Sequence, residues 1–278
     1  MLVDLHMHSY FSDGTMSPTE IIEEAKRRNV EIISITDHNR IEAYNEAKDK
    51  AKELGIKLIK GCEINVRFKN SILHLLAYSF KNTDKLIALI DKAFEELQKN
   101  SIDLVDRLSK DDNRVSLSDY DNYSYDRRKG GWKGLHYLYE RGITEKIFDG
   151  FKYYDMYDCG YENYDFPYIT EVCTAIKEAG GYAVLAHPGE YYKNLSEEEL
   201  VKVFSELKEC GVDGIECYYP THSELLTEVA VNYCEDNSMI ITTGCDEHGE
   251  FGKEAKRIVQ TIGCLNIDKS KVNIDKLL

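Results

Sequence analysis

No run of apolar residues in this chain approaches the ~20 that a membrane-spanning helix requires, so a place in the bilayer is not expected. No two of the eight cysteines (Cys62, Cys159, Cys173, Cys210, Cys217, Cys234, Cys245 and Cys264) form a Cys-x-x-Cys pair. The chain opens into Leu2-Val3-Asp4-Leu5 without a signal-like segment. Reduced thiols and a cytoplasmic location are therefore expected rather than a disulfide framework. Positive charge is also short: 35 Lys and Arg face 50 Asp and Glu, a formal net charge of −15. Such a chain has no general positive field to hold a long nucleic acid. A small phosphorylated substrate remains open to it, because bound cations reverse the local sign. Internal repeats and low-complexity tracts are absent too. What is present is ordinary for a globular protein: 42% hydrophobic and 31% charged residues in 278 positions, enough for one large α/β domain or two smaller ones.

Strand and helix signals alternate from the start. Leu2 to His8 reads as a strand. Ser17-Pro18-Thr19-Glu20 reads as a capping box with proline at the first helical position, followed by the apolar face of Ile21, Ile22 and Ala25. Glu31 to Thr36 reads as a strand ending at Asp37-His38. A helix is expected from about Ile41 to Leu54, stopping at Gly55. Lys57 to Lys60 reads as a short strand ending at Gly61-Cys62-Glu63. This rhythm predicts parallel strands with crossover helices. Ile64 to Phe68 and Leu73 to Phe80 flank Lys69-Asn70-Ser71 and read as an added hairpin. A helix from about Asp84 to Leu108 follows. Between about Ser109 and Phe166 the composition shifts to Asp, Tyr, Lys and Gly, which predicts an inserted helical subdomain or lid over 109–166. Alternation then resumes over 167–278. Strands are expected at Tyr182–Ala186, Asp213–Cys217 and Met239–Thr243, and helices at Ile169–Ala179, Ser196–Cys210 and His222–Glu235.

The regularity that matters is where polar residues fall. His6 and His8 stand two apart and share one face if their segment is a strand. His6, His8, His38, Glu63, His187, Asp246 and His248 all lie at or just past the C-terminal end of an expected strand. Asp13 lies in the loop after the first strand and His74 in the hairpin. Each alone has a structural explanation, such as a helix cap for His38 or a turn for His187. Together they collect at the edge where α/β proteins build sites. Imidazole plus carboxylate without thiolate suits Zn, Mn or Fe.

The set resembles the PHP (polymerase and histidinol phosphatase) family of metal-dependent phosphoesterases. The matching motifs are Asp4-Leu5-His6-Met7-His8-Ser9, Ser12-Asp13-Gly14, Ile35-Thr36-Asp37-His38, Gly61-Cys62-Glu63, Leu73-His74-Leu75-Leu76, Ala186-His187-Pro188-Gly189 and Gly244-Cys245-Asp246-Glu247-His248-Gly249. They run in the family's order and cover nearly the whole chain outside the insert. The resemblance implies an α/β fold, a distorted (β/α)7-type barrel, with two to three divalent metal ions (Mn, Fe or Zn). It implies that His6, His8, Glu63 and Asp246 hold one ion, that a bridging Glu63 joins His74 and His187 at a second, and that Asp13, His38 and His248 hold a third. Cys245 and Glu247 replace a Ser and a Phe often found in the last motif, which leaves the ligands untouched.

The function so implied is hydrolysis of a phosphate ester in a small nucleotide or sugar phosphate, cyclic forms included, through attack on phosphorus by a hydroxide bridging two metals. Arginine forks usually complete a phosphate site. Arg127 and Arg128 are the leading candidates, with Lys129 and Lys133 beside them and Arg40 and Arg67 elsewhere. His222, just past a strand end, is the candidate general acid or substrate contact. Two alternatives stay open: a 5′→3′ exonuclease acting on short RNA or DNA, and a non-catalytic metal-binding module.

Overall fold

The structure, a computed structural model, describes residues 1–256 and 260–278. Among the described residues, seven strands form one sheet in chain order. They are β1 (Leu2–Asp4), β2 (Val30–Ile35), β3 (Lys57–Phe68), β4 (Ser71–Tyr78), β5 (Tyr182–Leu185), β6 (Gly214–Tyr218) and β7 (Ile240–Thr243). β1, β2 and the first part of β3 run parallel, as do β5, β6 and β7. β4 is antiparallel to both of its neighbours. The sheet edges then meet: Leu5 N–H donates to the Thr243 carbonyl at 2.9 Å, and Met7 bridges Glu247 in parallel. A distorted seven-stranded barrel results.

One expectation fails. Lys57–Lys60 and Ile64–Phe68 are a single strand, β3, rather than a short strand followed by a separate hairpin arm. Its pairing passes from β2 at Lys60 to β4 at Gly61. Gly61 permits the handover, because a Cβ there would stand 2.2 Å from Ser34 Oγ and 2.7 Å from Thr36 Cγ2. The consequence is functional. β4 becomes a stave of the barrel, and Glu63 sits within β3, inside the barrel mouth, rather than past a strand end.

The helices follow their sequence signals closely. α1 (Pro18–Arg27) has the expected capping box, with Ser17 Oγ accepting from Glu20 N–H and Glu20 Oε2 accepting from Ser17 N–H. Such a cap contributes about 1 kcal/mol. Ile21, Ile22 and Ala25 are its buried face. α2 (Ala43–Leu54) stops at Gly55, which has φ +70°. α3 (Asp84–Leu108) starts at an N-cap Thr83.

The 109–166 stretch carries three short helices, α4 (Leu117–Asn122), α5 (Lys133–Glu140) and α6 (Phe151–Met156). Leu135, Tyr137, Leu138 and Tyr154 from this stretch belong to the same apolar core as Leu97 and Leu104 of α3 and Leu75 of β4. Ser101 and Tyr154 hydroxyls meet at 2.7 Å, and Arg107 donates to the Tyr157 carbonyl at 2.6 Å. The remaining helices are α7 (Ile169–Glu178), α8 (Pro188–Tyr192), α9 (Glu197–Glu209), α10 (Glu224–Asp236) and α11 (Glu250–Lys256). None of the described helices is long and apolar enough to cross a membrane.

Candidate metal centre

β1 ends at Asp4, so His6 and His8 lie in the extended segment just beyond it. That segment is clamped on both sides. Thr36 N–H donates to the Met7 carbonyl at 2.8 Å, Asp246 N–H to the His6 carbonyl at 2.8 Å, and His8 N–H to the Glu247 carbonyl at 2.8 Å. Both imidazoles are thereby held, fully buried, at the barrel mouth. His187 and Asp246 adopt positive φ, +27° and +55°. Such backbone costs about 1–3 kcal/mol per residue and persists only where neighbours enforce it. Here His187 N–H donates to Glu216 Oε2 at 2.7 Å, and Asp246 N–H to the His6 carbonyl.

Glu63 is the centre of the arrangement. Its Oε2 lies 3.2 Å from His6 Nε2, from His8 Nε2 and from His38 Nδ1. Its Oε1 lies 3.0 Å from His74 Nδ1 and 2.9 Å from His187 Nε2. Asp246 Oδ1 is 3.1 Å from His8 Nε2, and Asp13 Oδ2 is 3.3 Å from His248 Nε2. The ligand-type atoms fall into three groups, each within 4.8 Å of one another: His6, His8, Glu63 and Asp246; His38, Glu63 and His74; and His8, Asp13, His38 and His248. All nine residues named from the sequence converge here. Eight are buried and His74 is partly so.

Several of these atoms have no hydrogen-bond partner although they are buried: His6 Nε2, His8 Nε2, Asp13 Oδ1, His38 Nδ1 and Glu63 Oε2. A buried polar atom without a partner costs about 1–3 kcal/mol. Five of them converging on one small volume call for a cation, and the donor set fits a divalent one. The outward nitrogens agree. His6 Nδ1–H donates to Glu216 Oε1 at 3.0 Å and His248 Nδ1 lies 2.8 Å from the Asp246 carbonyl, so each Nε2 is turned toward the centre. Burial disfavours charge on His8 and His38 alike. At His8 the carboxylates of Asp246, Glu63 and Asp13 outweigh burial and hold the pKa up at about 10. At His38 burial wins and the pKa falls to about 3.

Two residues that support this set have no role in the sequence reading. Glu216, fully buried on β6, accepts from His6 Nδ1–H and from His187 N–H, and so orients two histidines at once. The available signal was a carboxylate inside an otherwise apolar strand. Asp37, next to His38, accepts from Ser9 N–H, Ser9 Oγ–H and Ser12 Oγ–H, each at 2.7 Å. Ser12 Oγ lies 3.4 Å from His8 Nδ1, which links Asp37 to that imidazole. Tyr219 O–H donates to Asp246 Oδ2 at 2.8 Å.

The residues expected to contact substrate are placed differently. Both nitrogens of His222 are taken by backbone: Nδ1 lies 3.1 Å from the Cys217 carbonyl, and Nε2 accepts from Gly189 N–H at 3.1 Å. Burial also lowers its pKa, and both ring nitrogens are engaged beside the His187 turn. Arg127 and Arg128 are exposed and line no part of the cavity over the cluster. Arg128 Nη2 donates to both carboxylate oxygens of Glu20, at 2.7 and 2.9 Å. Long, well-hydrated side chains stay at the surface unless burial recovers their solvation. Lys129 approaches Glu140, Lys133 sits over the Tyr120 ring, Arg40 pairs with Glu42, and Arg67 donates to the Glu162 carbonyl.

The glycines beside the arginines are what dock this segment. Gly131 N–H donates to the Asp13 carbonyl at 2.8 Å, and a Cβ on Gly130 would stand 2.7 Å from that oxygen. The chain is thereby delivered so that the Trp132 ring lies 5.8 Å from that of His38.

Above the cluster lies a cavity of about 510 Å³. His74, Asp246 and His248 form part of its floor, while Trp132, Phe148 and Tyr161 of the 109–166 stretch form part of its wall. Ligand-type polar groups and an aromatic wall thus come from different segments.

The PHP domain family model matches residues 4–129. The chain is 30% identical over 258 residues to a 5′-3′ exoribonuclease of Haemophilus influenzae, spanning 90% of each chain. It is 27% identical over 271 residues to the phosphoribosyl 1,2-cyclic phosphate 1,2-diphosphodiesterase of Eggerthella lenta, spanning 91% of this chain and 96% of that one. A Bifidobacterium adolescentis structure assigned as a metal-dependent phosphoesterase superposes with a TM-score of 0.73 at 25% identity, spanning 90% of this chain and 88% of that one.

Proposed function

Because this chain belongs to the PHP domain family of metal-dependent phosphoesterases, we propose that its buried cluster holds three divalent ions and hydrolyses a phosphate ester of a small nucleotide or sugar phosphate. His6, His8, Glu63 and Asp246 would hold one ion, Glu63, His74 and His187 a second, and Asp13, His38 and His248 a third. When bound, such ions supply Lewis-acid charge at phosphorus and a more acidic attacking water. Mn, Fe and Zn all suit the donor set.

The chain's own residues do the rest. Glu216 and Asp37 fix the rings of His6 and His8, so that little reorganisation accompanies reaction. Trp132, Phe148 and Tyr161 exclude water from the cavity above, where charge interactions strengthen. In this reading the 109–166 stretch is a cover for the barrel mouth.

The observation that carries the proposal is the set of partnerless buried atoms converging around Glu63. Completeness of the nine ligands disfavours a non-catalytic module. The H. influenzae relative favours a second reading, 5′→3′ cleavage of short RNA. The net charge of −15 weighs against a long strand.

A hydrolysis screen with added Mn tests both readings, with inorganic phosphate read for nucleoside bisphosphates and histidinol phosphate, chromatography of the products for cyclic ribose phosphates and short oligonucleotides, and elemental analysis of the purified protein. Hydrolysis of a small ester, with divalent metal present, is the expected result. Cleavage of oligonucleotides alone, to nucleoside monophosphates, selects the second reading, and hydrolysis of none of them overturns the proposal.

A further inference from the structure

The oxygen that leaves phosphorus in ester hydrolysis gains from a hydrogen-bond donor. Both ring nitrogens of His222, the residue expected in that place, are engaged by backbone, and His222 does not line the cavity over the cluster. Among the described residues that lining holds no Lys or Arg. Its donors, apart from the ligand-type histidines, are Trp132, Tyr161, Tyr191 and Tyr219. Tyr219 already donates to Asp246 Oδ2.

Tyr191, on α8, is distinguished by what holds its hydroxyl. The β4–β5 ladder pairs Leu75 with Leu185, and one residue earlier the His74 carbonyl accepts from Ala186 N–H at 3.1 Å. A full antiparallel rung would return the His74 N–H to Ala186. Instead it donates to Tyr191 Oη at 2.9 Å. Accepting that bond fixes the phenol oxygen against the backbone of a ligand-type residue, and leaves its own O–H to donate elsewhere. No described residue accepts it. The Tyr191 ring lies 5.4 Å from that of His187 and 6.4 Å from that of His74, the two imidazoles on Glu63 Oε1. It also lines an adjoining cavity of about 660 Å³. Tyr191 therefore stands where a substrate passes outward from the cluster.

We propose that the Tyr191 hydroxyl is a catalytic hydrogen-bond donor to the ester oxygen that leaves phosphorus. The role rests on the phosphoesterase reading of the cluster and adds to it the group that serves the leaving side. In the step, the oxygen of water bonds to phosphorus as the P–O ester bond breaks. The electron pair of that bond goes to the ester oxygen, and the proton that the water loses ends on the alcohol released. Tyr191 keeps its own proton and shares it with the ester oxygen while negative charge builds there. A leaving group that is already a weak base gains little from such a bond.

Tyr191→Phe removes the hydroxyl and keeps the ring. In the Mn-loaded protein, kcat for benzyl phosphate, which has a poor leaving group, is expected to fall about a hundredfold. For p-nitrophenyl phosphate, of similar size but with a good leaving group, the fall is expected to stay below about fivefold. KM for both esters, and bound metal read by elemental analysis, are expected to hold within about twofold. A hydroxyl that served only to hold His74 would lower both substrates equally, together with bound metal, and that result overturns the proposal. An unchanged kcat for benzyl phosphate overturns it as well. Wild-type protein that hydrolyses neither these two esters nor those of the screen sinks the phosphoesterase reading and this role with it, whereas equal loss in the variant sinks the role alone.

Discussion

The barrel mouth and the 109–166 stretch face the same cavity with opposite contributions. At the mouth, charge is buried and shared: one carboxylate, Glu63, touches five imidazoles, and two more, Glu216 and Asp37, anchor the rings from behind. In the insert the charged knot of Arg127, Arg128 and Lys129 is exposed, and what reaches the cavity is aromatic. Burial separates the two. A charge held out of water acts strongly on its neighbours, whereas one in water is screened. In the proposed reading the mouth holds cations, and the 109–166 stretch shapes and dries the space above them.

The sharpest way to break this comparison is Glu63→Gln. Replacing the shared carboxylate is expected to lower kcat/KM by more than about a hundredfold and to reduce bound metal, read by elemental analysis. Full metal content with full turnover would remove Glu63 from the centre. Glu216→Gln should act next most strongly. With the amide oxygen at the Oε2 position, 2.7 Å from His187 N–H and 3.3 Å from His6 Nδ1, the amide N–H₂ takes the Oε1 position and opposes His6 Nδ1–H at 3.0 Å. Metal affinity is expected to fall about 10–100-fold with the far-UV circular dichroism unchanged, as measured by competition with a chelator.

The same centre should respond to pH. In the metal-free protein the pKa of His8 is raised from 6.5 to about 10, so the folded chain keeps a proton that the unfolded chain loses. Stability from that proton is full below about pH 6.5 and is lost as pH rises through about 10. Metal must expel it, so apparent metal affinity should climb across this window by up to about tenfold per pH unit. A flat profile would show that His8 is not a ligand. The smallest effect belongs to the insert's charges. Arg127→Ala and Arg128→Ala are each expected to change kcat/KM by less than about twofold, because both side chains are solvated and Arg128 is already paired with Glu20. A large rise in KM in either variant would return them to the phosphate site.

The nine ligand-type residues and most element boundaries were legible because they depend on local pattern. Ser17-Pro18-Thr19-Glu20 caps its own helix, and histidines at strand ends announce themselves by residue type. Glu216 was not legible, since its partner His6 lies 210 residues away and a carboxylate inside a strand gives no hint of its direction. The surroundings of His222 were hidden for a related reason. Its position past a strand end was read correctly, but the two backbone groups that occupy its ring nitrogens come from the folded turn around His187. The Arg127-Arg128-Lys129 run drew attention by charge, while the adjoining Gly130-Gly131-Trp132 does the docking through a close approach to Asp13 that only the fold creates.

The sequence by itself determined the alternation of strands and helices, the residue types of the candidate ligand set and the family, because these reside in residue type and short-range spacing. Tertiary structure alone decided that β3 is one strand carrying Glu63 into the barrel mouth, that Glu216 and Asp37 stand behind the histidines, and that Trp132 rather than Arg127 or Arg128 faces the cavity. Each of these depends on which distant segments exclude water together, and burial of that kind is set by the packed chain rather than by any local stretch of it.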